Sequence, residues 1–313
     1  MSALSRLPGT RRRTGPAGPA GPAGAAGAAG QYGRSGRPAS ARVLELVARH
    51  APALALVLVF VLPLLVCVTT AFMTQAQAGT GSLWPRPWTF DNFGSVFSAI
   101  PFGRALLNPV LYAVLSAVGV LLSSVPVAYA LARMRWRGRK ATFLVVLATM
   151  MIPAQVTSLP LYVLYSDLGW VGTLKPLIVP SFFGDAFSIF LLRQFFLTLP
   201  ESVFEAARVD GAGELRILTS LVLPMVRPAL AAVGLFAFLF AWNDFYNPLL
   251  YTGNSTDGQT LAVALTTIAR TAHESAYQLQ MAASLMFLAP VLLIFAMAQK
   301  VFIEGVTMTG VKG

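Results

Sequence analysis

Residues 53–72 read ALALVLVFVLPLLVCVTTAF, a run of 20 residues without a charged side chain. A helix of about 20 apolar residues crosses the hydrocarbon core of a bilayer, which is about 30 Å thick. Thirteen of these residues are Leu, Val or Phe. At roughly −0.3 to −0.6 kcal/mol each on an insertion scale, they favour membrane insertion by about 4–8 kcal/mol. This run therefore predicts a membrane-spanning helix.

The same run has a second interpretation as the apolar core of a secretory signal peptide. Basic residues precede it, and Ala76-Gln77-Ala78 resembles a signal cleavage site. The apolar core of a signal peptide is usually about 7–15 residues long. The greater length of this run favours an uncleaved first helix.

The composition of the whole chain agrees with a membrane protein. Of its 313 residues, 56% are hydrophobic and 11% are charged, whereas about a quarter of the residues of a soluble protein are charged. The net charge of +11 would suit a nucleic-acid-binding domain, but such a domain needs a polar surface to stay in solution. The single cysteine, Cys67, excludes an intrachain disulfide, and no Cys/His cluster suits structural zinc.

Five further apolar stretches have the length of membrane spans. They lie near residues 106–132, 142–165, 174–195, 222–250 and 281–303. Because Lys and Arg accumulate on the cytoplasmic side, a cytoplasmic N-terminus places 19 of the 23 cations inside. The four outside are Arg86, Arg104, Lys175 and Arg270. The sequence predicts an all-α membrane protein with six transmembrane helices and with both termini in the cytoplasm.

The chain divides into two regions of different composition. Residues 1–42 are mainly Gly, Pro, Ala, Ser and Arg, with seven arginines and no acid. They have too little apolar surface to offset the entropy of ordering. We expect a disordered basic cytoplasmic tail over residues 1–50 and a transmembrane domain over residues 51–313.

A polar segment separates the fourth and fifth predicted spans. Residues 200–230 read PESVFEAARVDGAGELRILTSLVLPMVRPAL. Glu201–Val209 suits a helix with acids near its first turn, where the helix dipole favours them. Glycines then break the helix, and a second helical stretch, Glu214–Val222, is predicted to end before Pro224. The alternative is a hairpin lying on the membrane, but interfacial helices favour Lys and Arg on their polar face.

This segment resembles the EAA loop of ABC importer permeases, which follows the pattern EAA-x3-G-x9-I-x-LP. The matching residues are Glu205-Ala206-Ala207, Gly211 and Leu221-Val222-Leu223-Pro224, with Leu221 in place of Ile. Further segments resemble the carbohydrate branch of the family, the maltose-transporter type of permease subunit. They are residues 128–133, 151–153, 159–162, 190–196, 242–245 and 312–313. The resemblance extends from about residue 53 to the C-terminus.

The resemblance implies the type I ABC importer permease fold in the bacterial plasma membrane. It also implies transport of a sugar that an extracytoplasmic binding lipoprotein delivers. The alternative solutes are a polyol, a sugar phosphate or a polyamine. The implied partners are an ATP-binding cassette ATPase dimer, a second permease subunit in a heterodimer and the lipid bilayer, with no nucleic acid. ATP and Mg would be bound by the ATPase, and this chain would bind no cofactor.

In this family the EAA loop is a coupling helix that docks in a cleft of the ATPase. The resemblance places this coupling loop over residues 197–224, with Gly211 at the turn and two alanines that permit close approach. The implied docking residues are Glu205, Ala206, Ala207, Asp210, Gly211 and Pro224. Thr307–Gly313 forms a second candidate contact with the ATPases.

Polar residues within the predicted spans are candidates for the substrate path. An acid in the bilayer costs about 2.5–3.5 kcal/mol on insertion scales, so Asp185 and Asp244 each need a partner or water. Asn243 and Asn247 are four residues apart, which would place them on one helix face with Asp244 alongside. This patch either lines the sugar path, with Trp242 stacking on the sugar, or forms hydrogen bonds between helices.

The sequence contains no recognisable catalytic motif. It lacks GxxxxGK[ST], GxGxxG, HExxH and GxSxG, which excludes the familiar nucleotide-binding and hydrolase sites. The only histidines, His50 and His273, lie on opposite predicted sides of the membrane. We therefore predict a transport subunit that is not an enzyme and has no metal site. A secondary transporter would need a relay of intramembrane acids or histidines, and a membrane enzyme would need a nucleophile with its base.

Overall fold

The structure, a computed structural model, describes residues 39–253, 255, 257–271 and 276–310. No strand occurs in these ranges. The first helices are α1 (Ala39–Ala71), α2 (Gln75–Ala78), α3 (Asp91–Ala99), α4 (Phe102–Arg133), α5 (Arg139–Thr149), α6 (Ala154–Asp167) and α7 (Lys175–Ile178). They are followed by a 3-10 turn (Val179–Phe183), α8 (Ala186–Thr198), α9 (Glu201–Val209), α10 (Glu214–Arg216), a π-helical turn (Ile217–Val222), α11 (Leu223–Met225), α12 (Arg227–Asn243), α13 (Tyr246–Thr252), α14 (Leu261–Thr271) and α15 (Tyr277–Gly310).

Among the residues that the structure describes, four helices are long and apolar enough to cross a membrane. They comprise His50–Ala71, Phe102–Arg133, Lys175–Thr198 and Tyr277–Ile294. Two bent pairs, α5 with α6 and Glu214–Met225 with α12, raise the number to six when each pair is one span. Each predicted apolar stretch corresponds to one of these helices or pairs. The prediction of an all-α membrane protein is therefore confirmed.

Two of the predicted spans are broken in the structure. α5 and α6 meet at 90° across residues 150–153, where Pro153 precedes α6 in an extended conformation. Proline has no N–H to donate to a helical hydrogen bond, so it suits the position just outside a helix. Hydropathy alone predicted this region as one continuous span.

The expected helix end before Pro224 is wrong. The helical segment from Glu214 continues through the π-helical turn to Met225, and an 84° bend follows at Val226. Pro224 occupies the first turn of α11, where a missing N–H costs little. The wider π-helical turn that precedes it changes the hydrogen-bond register. The chain therefore stays helical past the proline.

The structure describes the two ends of the chain only in part. α1 begins at Ala39, inside the region predicted as a tail, and residues 1–38 lie outside the described residues. At the C-terminus, α15 continues to Gly310, so the candidate contact Thr307–Gly313 is described only in its first four residues. His273 also lies outside the described residues. The packing described below lies within residues 57–313.

α4 is the central helix of the described packing and contacts both α8 and α12. Its close approach to the 3-10 turn depends on Gly119. A Cβ at Gly119 would overlap Ser181 Oγ and would lie 2.8 Å from the Phe182 ring. Ser123 Oγ donates to the Ser181 carbonyl at 2.9 Å. Small residues and hydroxyl hydrogen bonds of this kind are typical of membrane helix interfaces.

We expect Gly119→Val to separate α4 from the 3-10 turn and to destabilise the fold by about 1–3 kcal/mol, the usual cost of overpacking. Thermal unfolding in detergent would measure the loss. Gly103→Val is the matched control on the same helix, because a Cβ at Gly103 meets nothing within 4 Å. Equal melting temperatures for the two variants would contradict the close approach.

Candidate functional site

The segment that resembles the EAA loop forms a hairpin of two helices. We call α9, the turn at residues 210–213 and the segment Glu214–Met225 the EAA hairpin. The turn is closed by the N–H of Ala212, which donates to the Ala207 carbonyl at 3.0 Å. Gly211 has φ +77°, a left-handed conformation that glycine adopts without steric cost. A Cβ at Gly211 would meet nothing within 4 Å, so backbone conformation, not space, favours glycine there.

One face of the EAA hairpin packs against the ends of the membrane helices. Phe204 is 1% exposed and belongs to a buried cluster with residues of α4, α8 and the hairpin. The same cluster contains Leu131 of α4, Phe196 of α8 and three residues of the hairpin itself, Ile217, Leu218 and Val222. This apolar contact fixes the hairpin to the helices above it.

The opposite face carries most of the implied docking residues. Glu205, Ala206, Asp210, Gly211 and Pro224 are exposed, and Ala207 is half-buried. Among the described residues, the carboxylates of Glu205 and Asp210 have neither a hydrogen bond nor an ion pair. The hairpin therefore presents two acids that have no partner in the described part of the chain.

Two exposed apolar residues flank the glycine turn, and the sequence reasoning missed both. Val209 is 86% exposed and Leu215 is 75% exposed. Exposed apolar side chains are common at surfaces that take part in protein–protein contacts. Their position on either side of Gly211 and Gly213 was the available signal, since soluble turns are usually polar.

Arg133, the last residue of α4, holds the start of the hairpin. Its guanidinium contacts Glu201 Oε2 at 2.6 Å and donates to the Phe196 carbonyl at 2.6 Å and 2.8 Å. It also donates to the Leu199 carbonyl and lies 4.4 Å from the centre of the Phe204 ring. The Arg133 side chain is only 8% exposed. One buried cation thus joins α4, α8 and α9.

A second set of contacts holds Glu214, at the start of the second helical segment of the hairpin. Tyr129 Oη donates to Glu214 Oε2 at 2.5 Å, and Arg208 Nε donates to Glu214 Oε1 at 3.0 Å. Arg208 also lies 3.8 Å from Glu201. The hydrogen bond to Glu214 is the largest of the causes that raise the pKa of Arg208. Glu201 and Glu214 are therefore used within the chain, unlike Glu205 and Asp210.

The polar residues of the fifth predicted span lie at a break between helices. α12 ends at Asn243, Asp244 is extended, and α13 begins at Tyr246. The expectation that Asn243 and Asn247 share one helix face is therefore wrong. The physical reason is local, because Asp244 Oδ1 accepts the N–H of Asn247 at 3.2 Å in the first turn of a new helix. Side-chain caps of this type favour a helix start over continuation.

Asp244 is also bonded across the helix interface. Tyr112 Oη and Asn247 Nδ2 each donate to Asp244 Oδ2 at 2.8 Å. Asn243 is exposed, and its amide donates back to the Leu239 carbonyl at 2.8 Å. Three of the four predicted path residues thus surround the break. Of these three, Asn243 is exposed, whereas Asp244 and Asn247 are half-buried.

Trp242 and Asp185 have local partners. Trp242 is 1% exposed and stacks with Phe238 and Phe287 at ring distances of 5.8 Å and 5.1 Å. Its ring thus lies in the core of the described packing. Asp185 caps α8, because its Oδ2 accepts the N–H of Ser188 at 2.7 Å. Two exposed rings lie at the break, Phe245 and Tyr246, and the Tyr246 hydroxyl lies 3.0 Å from Ser158 Oγ.

A comparison with known protein families identifies the family of this chain. Residues 124–307 match the family described as binding-protein-dependent transport system inner membrane component, and the chain belongs to this family. It is therefore a multi-pass plasma-membrane subunit of an ABC importer, as predicted. It is not itself an enzyme, because in this family the ATPase is a separate subunit.

Individual relatives match over most of their length. The arabinooligosaccharides transport system permease protein AraQ of Halalkalibacterium halodurans is 34% identical over 262 residues, covering 81% of this chain and 91% of that protein. The sn-glycerol-3-phosphate transport system permease protein UgpE of Yersinia pestis is 30% identical over 257 residues, covering 80% and 91%. A crystal structure of a bacterial ABC transporter that imports the acidic polysaccharide alginate matches with a TM-score of 0.71 and 26% identity, covering 84% of this chain and 98% of that one.

We predict that Arg133→Gln loosens the EAA hairpin without unfolding the membrane helices. Hydrogen bonds to charged groups contribute about 1.5–3 kcal/mol, so amide exchange in α9 should accelerate by at least about tenfold. Hydrogen–deuterium exchange of the reconstituted protein would measure it. The control is Arg216→Gln, since Arg216 is exposed on the hairpin and has no ion-pair partner among the described residues. Identical exchange in the two variants would overturn the assignment.

Proposed function

We propose that this chain is the permease subunit through which an ATP-driven importer carries a sugar into the cell, with the EAA hairpin as the docking site for the ATPase. The observation that carries the proposal is the two-faced hairpin. One face is fixed to α4 and α8, while the other presents Val209, Leu215 and the unpaired carboxylates of Glu205 and Asp210. Such a surface suits a protein partner that supplies an apolar cleft and cations.

The orientation follows from the charge distribution. With both termini in the cytoplasm, 19 of 23 cations lie inside, and the EAA hairpin faces the compartment that contains ATP. ATP and Mg would be bound by the ATPase dimer. This chain contributes the docking residues, with Ala206 and Ala207 permitting close approach and Gly211 forming the turn.

Coupling would pass from the hairpin to the membrane helices through contacts that the chain itself supplies. Arg133 and Tyr129 belong to α4, and they hold Glu201 at the start of α9 and Glu214 at the start of the second helical segment of the hairpin. A movement of the ATPase surface would therefore displace α4 and α8 together with the hairpin. This link is what an inward-to-outward switch of the pathway requires.

The relatives support a polyhydroxylated solute. AraQ transports arabinooligosaccharides and the solved relative imports alginate, which favours a sugar for this chain. UgpE transports sn-glycerol-3-phosphate, which supports a polyol or sugar phosphate as the second candidate. Hydroxyl-rich solutes of both kinds need hydrogen-bonding side chains. At the α12–α13 break the exposed side chains of that type are Asn243 and Tyr246.

The remaining partners are part of the same proposal. The extracytoplasmic binding protein would deliver the solute, and a second, different permease subunit would complete the pathway. Residues 57–66 of α1 are exposed and entirely apolar. They suit a face that contacts lipid or that second subunit.

We expect Val209→Glu and Leu215→Glu to weaken ATPase docking. Each change removes an apolar contact of about 1.5–3 kcal/mol if the side chain becomes buried on docking. The yield of co-purified ATPase should therefore fall about tenfold or more. Leu83→Glu is the matched control, because Leu83 is 70% exposed and lies on the predicted outer side. Retention of the ATPase by both hairpin variants would refute the docking surface.

The substrate path has a separate test. We expect Asn243→Ala and Asp244→Asn to reduce solute uptake severalfold while the complex still assembles, because they alter the polar break without changing the apolar packing. Tyr112→Phe is the control, since it removes only the hydroxyl that donates to Asp244. Uptake by reconstituted vesicles and co-purification of subunits would be compared. Normal uptake in both path variants would contradict this role.

A further inference from the structure

The short loop between α4 and α5 carries a concentration of positive charge. Arg135, Arg137, Arg139 and Lys140 lie within six residues, and residues 134–149 contain no acid. None of the four forms an ion pair in the described part of the chain. Three are exposed, and Arg139 is half-buried. Like charges at this spacing repel one another unless an anion binds between them.

The loop has a fixed shape. Gly138 adopts φ +90°, which turns the chain into the first residue of α5. Arg139 Nη1 donates to the Met134 carbonyl at 3.0 Å, and Trp136 Nε1 donates to the Ala130 carbonyl at 3.2 Å. The concavity formed by this turn has a volume of about 630 Å³. Its lining residues are Arg135, Trp136, Gly138, Arg139, Lys140 and Ala141.

The length of the loop determines where this concavity lies relative to the bilayer. α4 ends at Arg133 and α5 begins at Arg139, so only five residues connect two membrane helices. A connection of that length must stay close to the headgroup layer. Trp136 is half exposed at 42%, as is usual for tryptophan at a membrane interface. The preference of Lys and Arg for the cytoplasmic side explains on which side of the membrane these cations lie. It does not explain why they surround a concavity that the indole of Trp136 also lines.

We propose that this concavity, the basic-turn site, binds the phosphate of an anionic phospholipid headgroup. Basic pockets between membrane helices on the cytoplasmic side bind such headgroups, and Arg presents paired donors that match phosphate oxygens. The site is distinct from the docking face of the EAA hairpin. It adjoins the hairpin, however, because Arg135 and Trp136 also line a neighbouring cavity of about 610 Å³ with Glu201, Arg208 and Glu214.

The test compares lipid binding by the purified full-length chain. The probes are fluorescent phosphatidylglycerol and fluorescent phosphatidylcholine of matched acyl chains in neutral detergent micelles. The wild type should prefer phosphatidylglycerol. Each cation contributes about fivefold in affinity, so the double variant Arg135→Gln/Lys140→Gln should bind phosphatidylglycerol roughly 25-fold more weakly and phosphatidylcholine unchanged.

A matched double variant separates a site from general surface charge. Arg216→Gln/Arg227→Gln also removes two exposed cations, neither of which lies in the α4–α5 loop or lines the basic-turn site. It should retain most of the affinity, within about threefold of wild type. Equal losses in the two double variants would overturn the proposal, as would a wild type with no preference between the lipids.

A competition arm distinguishes the two sources of phosphate. Inorganic phosphate at the concentration of the lipid should leave phosphatidylglycerol bound, because the acyl chains hold the lipid at the headgroup layer. Displacement at equal concentration would show a soluble-phosphate site and would overturn the lipid assignment. Thermal unfolding of each variant verifies that the chain is folded in every arm.

Discussion

The buried guanidinium of Arg133 is the constraint on which the described arrangement depends. It lies where α4 leaves the membrane, at 8% exposure, and a cation in such a place needs several acceptors. The chain supplies two backbone carbonyls from the end of α8, the Glu201 carboxylate and the Phe204 ring. Satisfying this one charge fixes the end of α8 and the start of α9. The position of the EAA hairpin follows from it.

A second constraint divides the four acids of the hairpin by function. Glu201 and Glu214 neutralise Arg133 and Arg208 and so belong to the chain's own packing. Glu205 and Asp210 have no partner among the described residues and lie beside exposed apolar side chains. Composition alone made all four look equivalent. The distances separate the pair that holds the hairpin from the pair without a partner in the described part of the chain.

Hydropathy and local motif predicted the spans and the hairpin, because both depend on contiguous residues. Long apolar runs locate a bilayer-crossing helix, and Glu205 to Gly211 specify a helix and its turn. Hydropathy averages over the local breaks at Pro153 and Asp244. The pairings that hold the helices together were missed because they join residues that are distant in sequence. Tyr112 bonds Asp244 across 132 positions, and Tyr129 bonds Glu214 across 85. The burial of Trp242 likewise depends on Phe287, from another helix.

Pro126 lies in α4 between two differently anchored parts of that helix. On its N-terminal side, Gly119 and Ser123 are held against the 3-10 turn. On its C-terminal side, about 10 Å further along the helix axis, Arg133 is fixed to the hairpin. Proline removes one i→i−4 hydrogen bond and lowers the cost of bending there. The last two turns of α4 are therefore tied to the hairpin, and Pro126 separates them from the part of the helix that packs on the 3-10 turn, at a point where bending costs less.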